Sequence, residues 1–384
     1  MTATSRPGPI DWRWALPRIL VVFLVTRLLV LAVAFTVETT QPPPPEDVIV
    51  DARPILTSLT SWDARYYTSI AQDGYHADPS SGPDYAFYPG YPIAIRALSP
   101  LTLGDVGLAA VLVANGAFLL LLVALYALSV RYLERERAML ALWFFGLAPG
   151  AVAYGLAYSE SVFVLCLVLA FLAMERRQAW LAGIALALAT LTRVPGILFG
   201  LPLLMLLVSQ DGYRPTRRWL PFLLAPAVLL GHYAVLWWVT GDPLAAVSAQ
   251  SYWHSDPVMD ETGALVAGAA PTTAFGSEHL ALGVAPPWMM LLWLGVLGFY
   301  TFLLVYFRPD RIRLPYATVA VLAIATVFLS TSWMSSPRFL AVAWPFAWVL
   351  ANRRSRWGRG TVLAAFALVQ IVLLWLAFSW QVAP

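Results

Sequence analysis

The sequence predicts an all-α polytopic membrane protein, and three observations carry that expectation. Hydrophobic residues make up 60% of the 384-residue chain and charged residues 12%, a balance that belongs to polytopic helical membrane proteins. The apolar residues fall into repeated long runs, and a bilayer interior requires each backbone polar group to be satisfied within its own segment, which a helix does. No stretch shows the two-residue alternation that a lipid-facing β-barrel needs. The net charge of +3 does not point to nucleic acid. All 24 basic residues are arginine, and most stand in short loops between apolar runs, where they report topology through the excess of positive charge on the cytoplasmic side. One cysteine, Cys166, lies inside an apolar run; an intramolecular disulfide is excluded and a packing role is expected.

The chain reads as one integral-membrane domain, 1–384. A first span is predicted over 16–37, behind Arg6, Arg13 and Arg18, which places the N-terminus in the cytoplasm. It lacks a small-residue cleavage site, so it reads as a retained span rather than a signal peptide. Arg27 falls mid-span, where a charge is costly and needs a partner inside the bundle. Residues 38–104 form a long first external loop, opened by the stiff proline run from Pro42 to Pro45. Within it Asp63, Tyr66, Tyr67 and Ile70 recur at helical spacing and share one face of a short interfacial helix. Ser61 is its expected N-cap and Gly74 its stop.

Further spans are predicted over 107–130, 138–157, 161–174, 179–191, 196–208 and 219–239, then one ending near 307, and then 314–329, 339–350 and 361–380. A second long external loop covers 240–287. The total is about eleven spans, of which those between 161 and 208 are short for a full crossing. Loops placed in the cytoplasm hold 18 arginines and external loops hold five, Arg53, Arg65, Arg96, Arg193 and Arg338, a split that supports the orientation. No convincing internal repeat is visible, which weakens a transporter built from inverted halves.

This arrangement gathers Asp63, Asp73, His76, Asp84, Glu160, Arg193, His254 and Arg338 on the external side. A lipid-linked phosphosugar needs a cation for its phosphate, best supplied by the planar fork of arginine. An acceptor hydroxyl needs a carboxylate to take its proton as the glycosidic bond forms, and aromatic rings can line the sugar path. Each residue also has a plain alternative. Asp63 and Glu160 could be helix-terminal charges stabilised by the helix dipole. Arg193 and Arg338 could be anchors at the membrane–water boundary. His254 reads as a surface loop residue and His232 as a hydrogen-bonded core residue. No cluster has metal-ligand spacing, so no metal or other cofactor is assigned and metal dependence stays open.

Trp62-Asp63 followed by Tyr66, Ile70-Ala71, Gly74-Tyr75 and then Phe87-Tyr88-Pro89-Gly90-Tyr91-Pro92 resembles the PIG-V family, GPI mannosyltransferase-like proteins with bacterial, notably actinobacterial, relatives. Tyr158-Ser159-Glu160-Ser161, Leu191-Thr192-Arg193, Gly241-Asp242-Pro243-Leu244 with Gln250 and Trp253, and Ser336-Pro337-Arg338-Phe339 extend the resemblance in family order. It implies a GT-C-type bundle whose first external loop carries the catalytic aspartate, here Asp63. It also implies an inverting mannosyltransferase in the plasma membrane that uses polyprenyl-phosphate-mannose and acts on a glycolipid, glycan or protein acceptor. Arg338 and Arg193 would hold the donor phosphate and Glu160 would shape the pocket, with Tyr66, Tyr67 and His76 on the donor side. Asp73, Tyr88, Tyr91, Gln250 and Trp253 are possible acceptor or pocket residues. Gly90 stands where the family usually has leucine, a change expected to loosen the backbone. Two alternatives remain at this point: the same scaffold with glucose or arabinose as the lipid-linked sugar, and a non-catalytic lipid-sugar transporter or accessory subunit.

Overall fold

A computed structural model describes residues 9–41, 53–76, 84–214, 216–249, 287–306, 313–329, 336–353 and 355–379. Every regular element among them is helical. Among the described residues five helical segments are long and apolar enough to cross a membrane: Trp12–Thr40, Val106–Ser129, Val194–Asp211, Arg217–Thr240 and Arg356–Phe378. The first is α1 (Trp12–Thr40), started by Asp11, whose side chain accepts from the Trp14 amide at 3.2 Å. It carries the N-cap chemistry that the arginine-flanked sequence did not advertise. Two short helices of the first loop follow, α2 (Pro54–Leu59) and α3 (Ala64–Asp73), then α4 (Gly90–Leu98). The second long span is α5 (Val106–Ser129), capped by Asp105 through the Leu108 amide at 2.9 Å.

The middle of the chain is a compact sequence of shorter helices, α6 (Arg135–Gly146), α7 (Glu160–Glu175), α8 (Ala179–Thr192), α9 (Gly200–Asp211) and α10 (Leu224–Thr240). At 1.5 Å per residue, the 14 residues of α8 reach only about 21 Å, short of a bilayer's roughly 30 Å hydrocarbon core. The 3-10 turns Val194–Phe199 and Arg217–Leu223 extend α9 and α10 to spanning length. Helix α7 is the centre of the bundle: it packs on α5 and α8 and is buried along most of its length. Beyond α11 (Ala245–Ser248) come α12 (Pro287–Tyr306), α13 (Leu314–Leu329), α14 (Ser336–Leu340), α15 (Pro345–Ala351) and α16 (Arg356–Phe378).

Two of the predicted spans are broken rather than continuous. The span expected over 138–157 stops at Gly146 and resumes as the 3-10 turn Pro149–Tyr154, because Pro149 cannot donate the amide hydrogen a continuing helix requires. The span expected over 339–350 is divided between α14 and α15, with Pro345 opening the second half. Irregular backbone is tolerated in an apolar setting only where protein covers it, and here the two breaks cover each other. The turn Pro149–Tyr154 packs on α14, and Tyr154 Oη donates to the Ala341 carbonyl at 2.8 Å. Arg27, the charge inside α1, donates to the Tyr154 carbonyl and to Asn115 Oδ1 at 3.2 Å, with its guanidinium 4.3 Å from the Phe118 ring centre. Its partners are thus neutral groups of the broken segment and of α5. Cys166 is buried within α7, as a packing residue would be.

Candidate active site

The site is built at the N-terminal end of α3. Trp62 adopts the left-handed backbone conformation, φ 60°, which a bulky residue takes only at a cost of about 1–3 kcal/mol. Its indole is fixed from the other end of the chain, Nε1 donating to the Ala377 carbonyl of α16 at 3.0 Å. This kink sets Asp63 at the N-cap position of α3, but the Asp63 side chain makes no capping hydrogen bond. Asp63 therefore gives the helix no capping hydrogen bond, although a carboxylate at this end is still favoured by the helix dipole. Ser61 is not the N-cap either: its hydroxyl donates back to the Ser58 carbonyl at 2.8 Å. Gly74 does end the helix, with φ 84°, the region glycine reaches without steric cost.

Asp63 Oδ2 instead accepts from Arg338 Nη1 at 2.5 Å, across a separation of 275 residues. Arg338 Nε faces Glu160 Oε1 at 3.4 Å, and the same Glu160 oxygen takes Arg193 Nη1. Four charges thus alternate in one chain, Asp63, Arg338, Glu160 and Arg193. All four side chains are largely withdrawn from solvent, Glu160 most of all at 3% exposed. Burial works against the charged form of Arg338, but the carboxylates of Asp63 and Glu160 outweigh it and hold the guanidinium firmly protonated. Glu160 is the first residue of α7 and Arg193 the residue that closes α8; Glu160 is favoured there by the helix dipole, and its partners come from two other elements.

Tyrosines wall this chain of charges. Tyr67 Oη and Ser159 Oγ are 2.8 Å apart; burial pushes the Tyr67 phenol up to about 12, so it stays protonated. Its ring meets Phe87 and Tyr91 edge-on, both at 5.1 Å, while Tyr66 stacks on Phe87 at 4.7 Å. The guanidinium carbon of Arg338 lies 5.4 Å from the Tyr158 ring centre, and Phe339 is shared between Arg338 and Arg193 at 5.8 and 5.7 Å. Tyr91 itself is fully buried and donates to the Ala110 carbonyl at 2.8 Å, which makes it a brace between α4 and α5.

The other expected site residues stand elsewhere. His76 and Asp73 lie at or beyond the far end of α3, and a ten-residue helix separates its ends by about 15 Å. His76 does not join the Asp63 cluster; its Nδ1 pairs with the buried Asp84 at 2.8 Å. Asp73 is exposed. Tyr88 packs on His232 at 4.6 Å between ring centres and donates to Tyr233 Oη at 3.2 Å. His232 is buried, as expected for a core residue, but its Nε2 is not hydrogen-bonded. Gln250, Trp253 and His254 lie outside the described residues. Gly90 does not loosen its segment. A Cβ there would fall 2.6 Å from Thr192 Oγ1 and 2.9 Å from the Leu191 carbonyl, so glycine is what lets α4 sit against the end of α8, one residue before Arg193. Among the described residues no group of three or more His, Cys, Asp or Glu side chains could hold a metal ion. Sequence reasoning passed over Trp62 as a conformational device and Tyr158 as a site wall. A Trp-Asp pair carries no local sign of positive φ, and Tyr158 differs from other tyrosines only in what surrounds it.

The chain can now be set beside known proteins. The profile described as mannosyltransferase (PIG-V) matches residues 14–213, a stretch that holds Asp63, Glu160 and Arg193 and ends before Arg338. GPI alpha-1,6-mannosyltransferase 2 of Rattus norvegicus is 33% identical over 161 residues, which cover 39% of this chain and 32% of the rat protein. GPI mannosyltransferase 2 of Cryptococcus neoformans is 28% identical over 222 residues, covering 51% of each. The chain therefore matches 32% to 51% of the length of these curated relatives. Among solved structures it is similar to the Archaeoglobus fulgidus oligosaccharyltransferase, at 13% identity and a TM-score of 0.47, over 94% of this chain and 56% of that one. The profile match covers more than half of the 384 residues, and on that match the chain belongs to the PIG-V mannosyltransferase family.

Proposed function

We propose that this protein is an inverting mannosyltransferase that moves mannose from a polyprenyl-phosphate donor to an acceptor hydroxyl at the external face of the plasma membrane. The observation that carries the reading is the meeting of Asp63 with Arg338 at 2.5 Å. It puts a carboxylate that caps nothing beside a permanently charged guanidinium, at a helix start held by a strained tryptophan. In the proposed reaction the donor phosphate takes over the Nη edge of Arg338, with Arg193 adding charge from across Glu160. Asp63, relieved of its partner, accepts the acceptor's hydroxyl proton. The acceptor oxygen attacks C1 of mannose from the face opposite the phosphate. The C1–O bond breaks, its electron pair leaves on the polyprenyl phosphate, and the arginines neutralise the charge that develops there. A β-linked donor gives an α-mannoside in this single displacement. The scaffold in this reading is a GT-C-type bundle with about eleven crossings, some made by broken or short helices, and an N-terminus in the cytoplasm.

Membranes carrying the wild type or Asp63→Asn, given labelled polyprenyl-phosphate-mannose and a native lipid or glycopeptide extract, test the proposal. Transfer by the wild type and a loss of about 10²-fold or more in the equally abundant variant are expected. Equal transfer by both would remove Asp63 from the chemistry, and transfer from a glucosyl or arabinosyl donor alone would replace the sugar.

A further inference from the structure

Many buried polar groups among the described residues find partners within the fold. Tyr154 donates to Ala341, Tyr91 to Ala110 and Trp348 to Ser129. Glu175, at the far end of α7, takes hydroxyl donors from both Tyr132 and Tyr316. Among the described residues the exceptions include scattered atoms, Arg27 Nε and Nη2, Trp219 Nε1, His232 Nε2, Trp344 Nε1 and Gln370 Oε1, and one group of four at the site. Tyr158 Oη, Glu160 Oε2, Ser161 Oγ and Arg338 Nε are all buried and make no hydrogen bond, although the Asp63 backbone lies near enough to Tyr158 to act on its phenol. An uncompensated buried polar atom is destabilising, so four of them around one charge cluster are what a site keeps for an occupant.

The occupant's chemistry follows from the atoms. Tyr158 Oη is a donor, since burial, first, and then the charge of Asp63 hold the phenol well above its usual range. Glu160 Oε2 is an acceptor fixed in place, because its sister oxygen is committed to Arg193 and Arg338. Both flank the same guanidinium, which lies 5.4 Å from the Tyr158 ring centre and 3.4 Å from Glu160 Oε1. A donor and a fixed acceptor around one guanidinium match an alcohol, which offers one of each. A phosphate oxygen has no proton for Glu160, and an aliphatic chain has neither group. We infer that Tyr158 and Glu160 together read one ring hydroxyl of the transferred sugar, with Tyr158 donating to it and Glu160 Oε2 accepting from it. This rests on the transferase reading above and deepens it, assigning sugar selectivity to two residues that do not touch the transferred proton. A site that hydrogen-bonds a substrate hydroxyl rejects analogues lacking it far more strongly than an apolar pocket rejects a change in size.

The test compares wild type, Tyr158→Phe and Tyr67→Phe on polyprenyl-phosphate-mannose and on its 2-, 3-, 4- and 6-deoxy analogues, reading kcat/KM for each. Tyr67 is an equally buried tyrosine whose hydroxyl already has Ser159, so its variant controls for loss of a buried phenol. Tyr158→Phe should cost about tenfold or more on the parent donor and nothing further on one particular deoxy donor, which the wild type itself uses poorly. Glu160→Gln should lose discrimination against the same analogue. Tyr67→Phe should affect all donors alike. Equal losses for Tyr158→Phe on every donor, or no loss on any, would overturn the inference while leaving the mannosyltransferase reading intact. A wild type that uses no mannosyl donor sinks both.

Discussion

Arg338 is the residue whose removal has the most calculable consequence. It alone touches both carboxylates of the site, Asp63 Oδ2 at 2.5 Å and Glu160 Oε1 at 3.4 Å. The Arg338 and Asp63 side chains are 14% and 17% exposed, so little solvent is available to screen a stranded charge. Breaking a buried pair by deleting one partner costs about 3–5 kcal/mol, mostly the penalty of the uncompensated ion left behind. Arg338→Ala should fall in that range. Asp63→Asn removes the charge but keeps the volume and an acceptor oxygen, and should cost about 1–3 kcal/mol. With Asp63 already neutral, deleting Arg338 strands only Glu160, which still has Arg193. The double variant should therefore be less destabilised than the sum of the two, by about 1–3 kcal/mol. Thermal unfolding of the detergent-solubilised protein, followed by tryptophan fluorescence at one scan rate, reads this as apparent Tm. The double variant is expected to melt close to Arg338→Ala. Losses that add to within about 0.5 kcal/mol would show that the two side chains are energetically independent, and the proposed exchange of Arg338 between Asp63 and phosphate would lose its basis.

Two further outcomes follow from contacts around the site. Gly90→Ala places a methyl 2.6 Å from Thr192 Oγ1 and 2.9 Å from the Leu191 backbone, forcing α4 away from the end of α8; a loss of about 1–3 kcal/mol is expected, with a raised KM for the donor because Arg193 is the next residue. A variant as stable and active as the wild type would show the helices are free to separate. Tyr67→Phe should change the alkaline limb of stability. The unfolded phenol titrates near 10 and the folded one near 12, so the native state binds its proton more tightly. Its contribution is complete below pH 10 and is lost as pH rises from 10 through 12. Denaturant unfolding across that window should show a shallower decline for the variant, and an unchanged slope would contradict the burial of Tyr67.

Much of the fold was legible because hydrophobic length and arginine placement are long-range signals that need no partner. The boundaries expected for 107–130, 161–174, 179–191 and 314–329 lie within a residue or so of α5, α7, α8 and α13. Pro149 and Pro345 marked the interruptions, yet apolar composition runs straight through them, so hydropathy alone joined what the backbone divides. Asp63 could be singled out in its loop helix and Glu160, Arg193 and Arg338 as charges at span ends, and their mutual contact could not, since it spans 275 residues between Asp63 and Arg338. His76 illustrates the opposite error. Nearness in sequence suggested nearness in space, but a helix lies between His76 and Asp63, and helices turn short separations into long ones. Gly90 was misread for a related reason: the permissive backbone of glycine is visible in sequence, whereas the missing Cβ matters only against a neighbour.

The two ends of α7 show why burial of charge does not by itself mark a site. Glu160 and Glu175 open and close the same helix, and both are withdrawn from solvent beside arginine. The helix dipole favours Glu160 and opposes Glu175, so dipole energetics alone would make Glu175 the anomaly. It is instead the settled one: Tyr132 and Arg131 from the turn after α5 and Tyr316 from α13 meet it, and it staples that turn, α7 and α13 together. Glu160 sits at the favourable end with two arginines and still keeps one oxygen unbonded, next to an unbonded phenol and an unbonded guanidinium nitrogen. At Glu175 the partners are supplied by the fold. At Glu160 the fold supplies position and withholds the last partner, and that difference, more than charge or burial, separates the site from the staple.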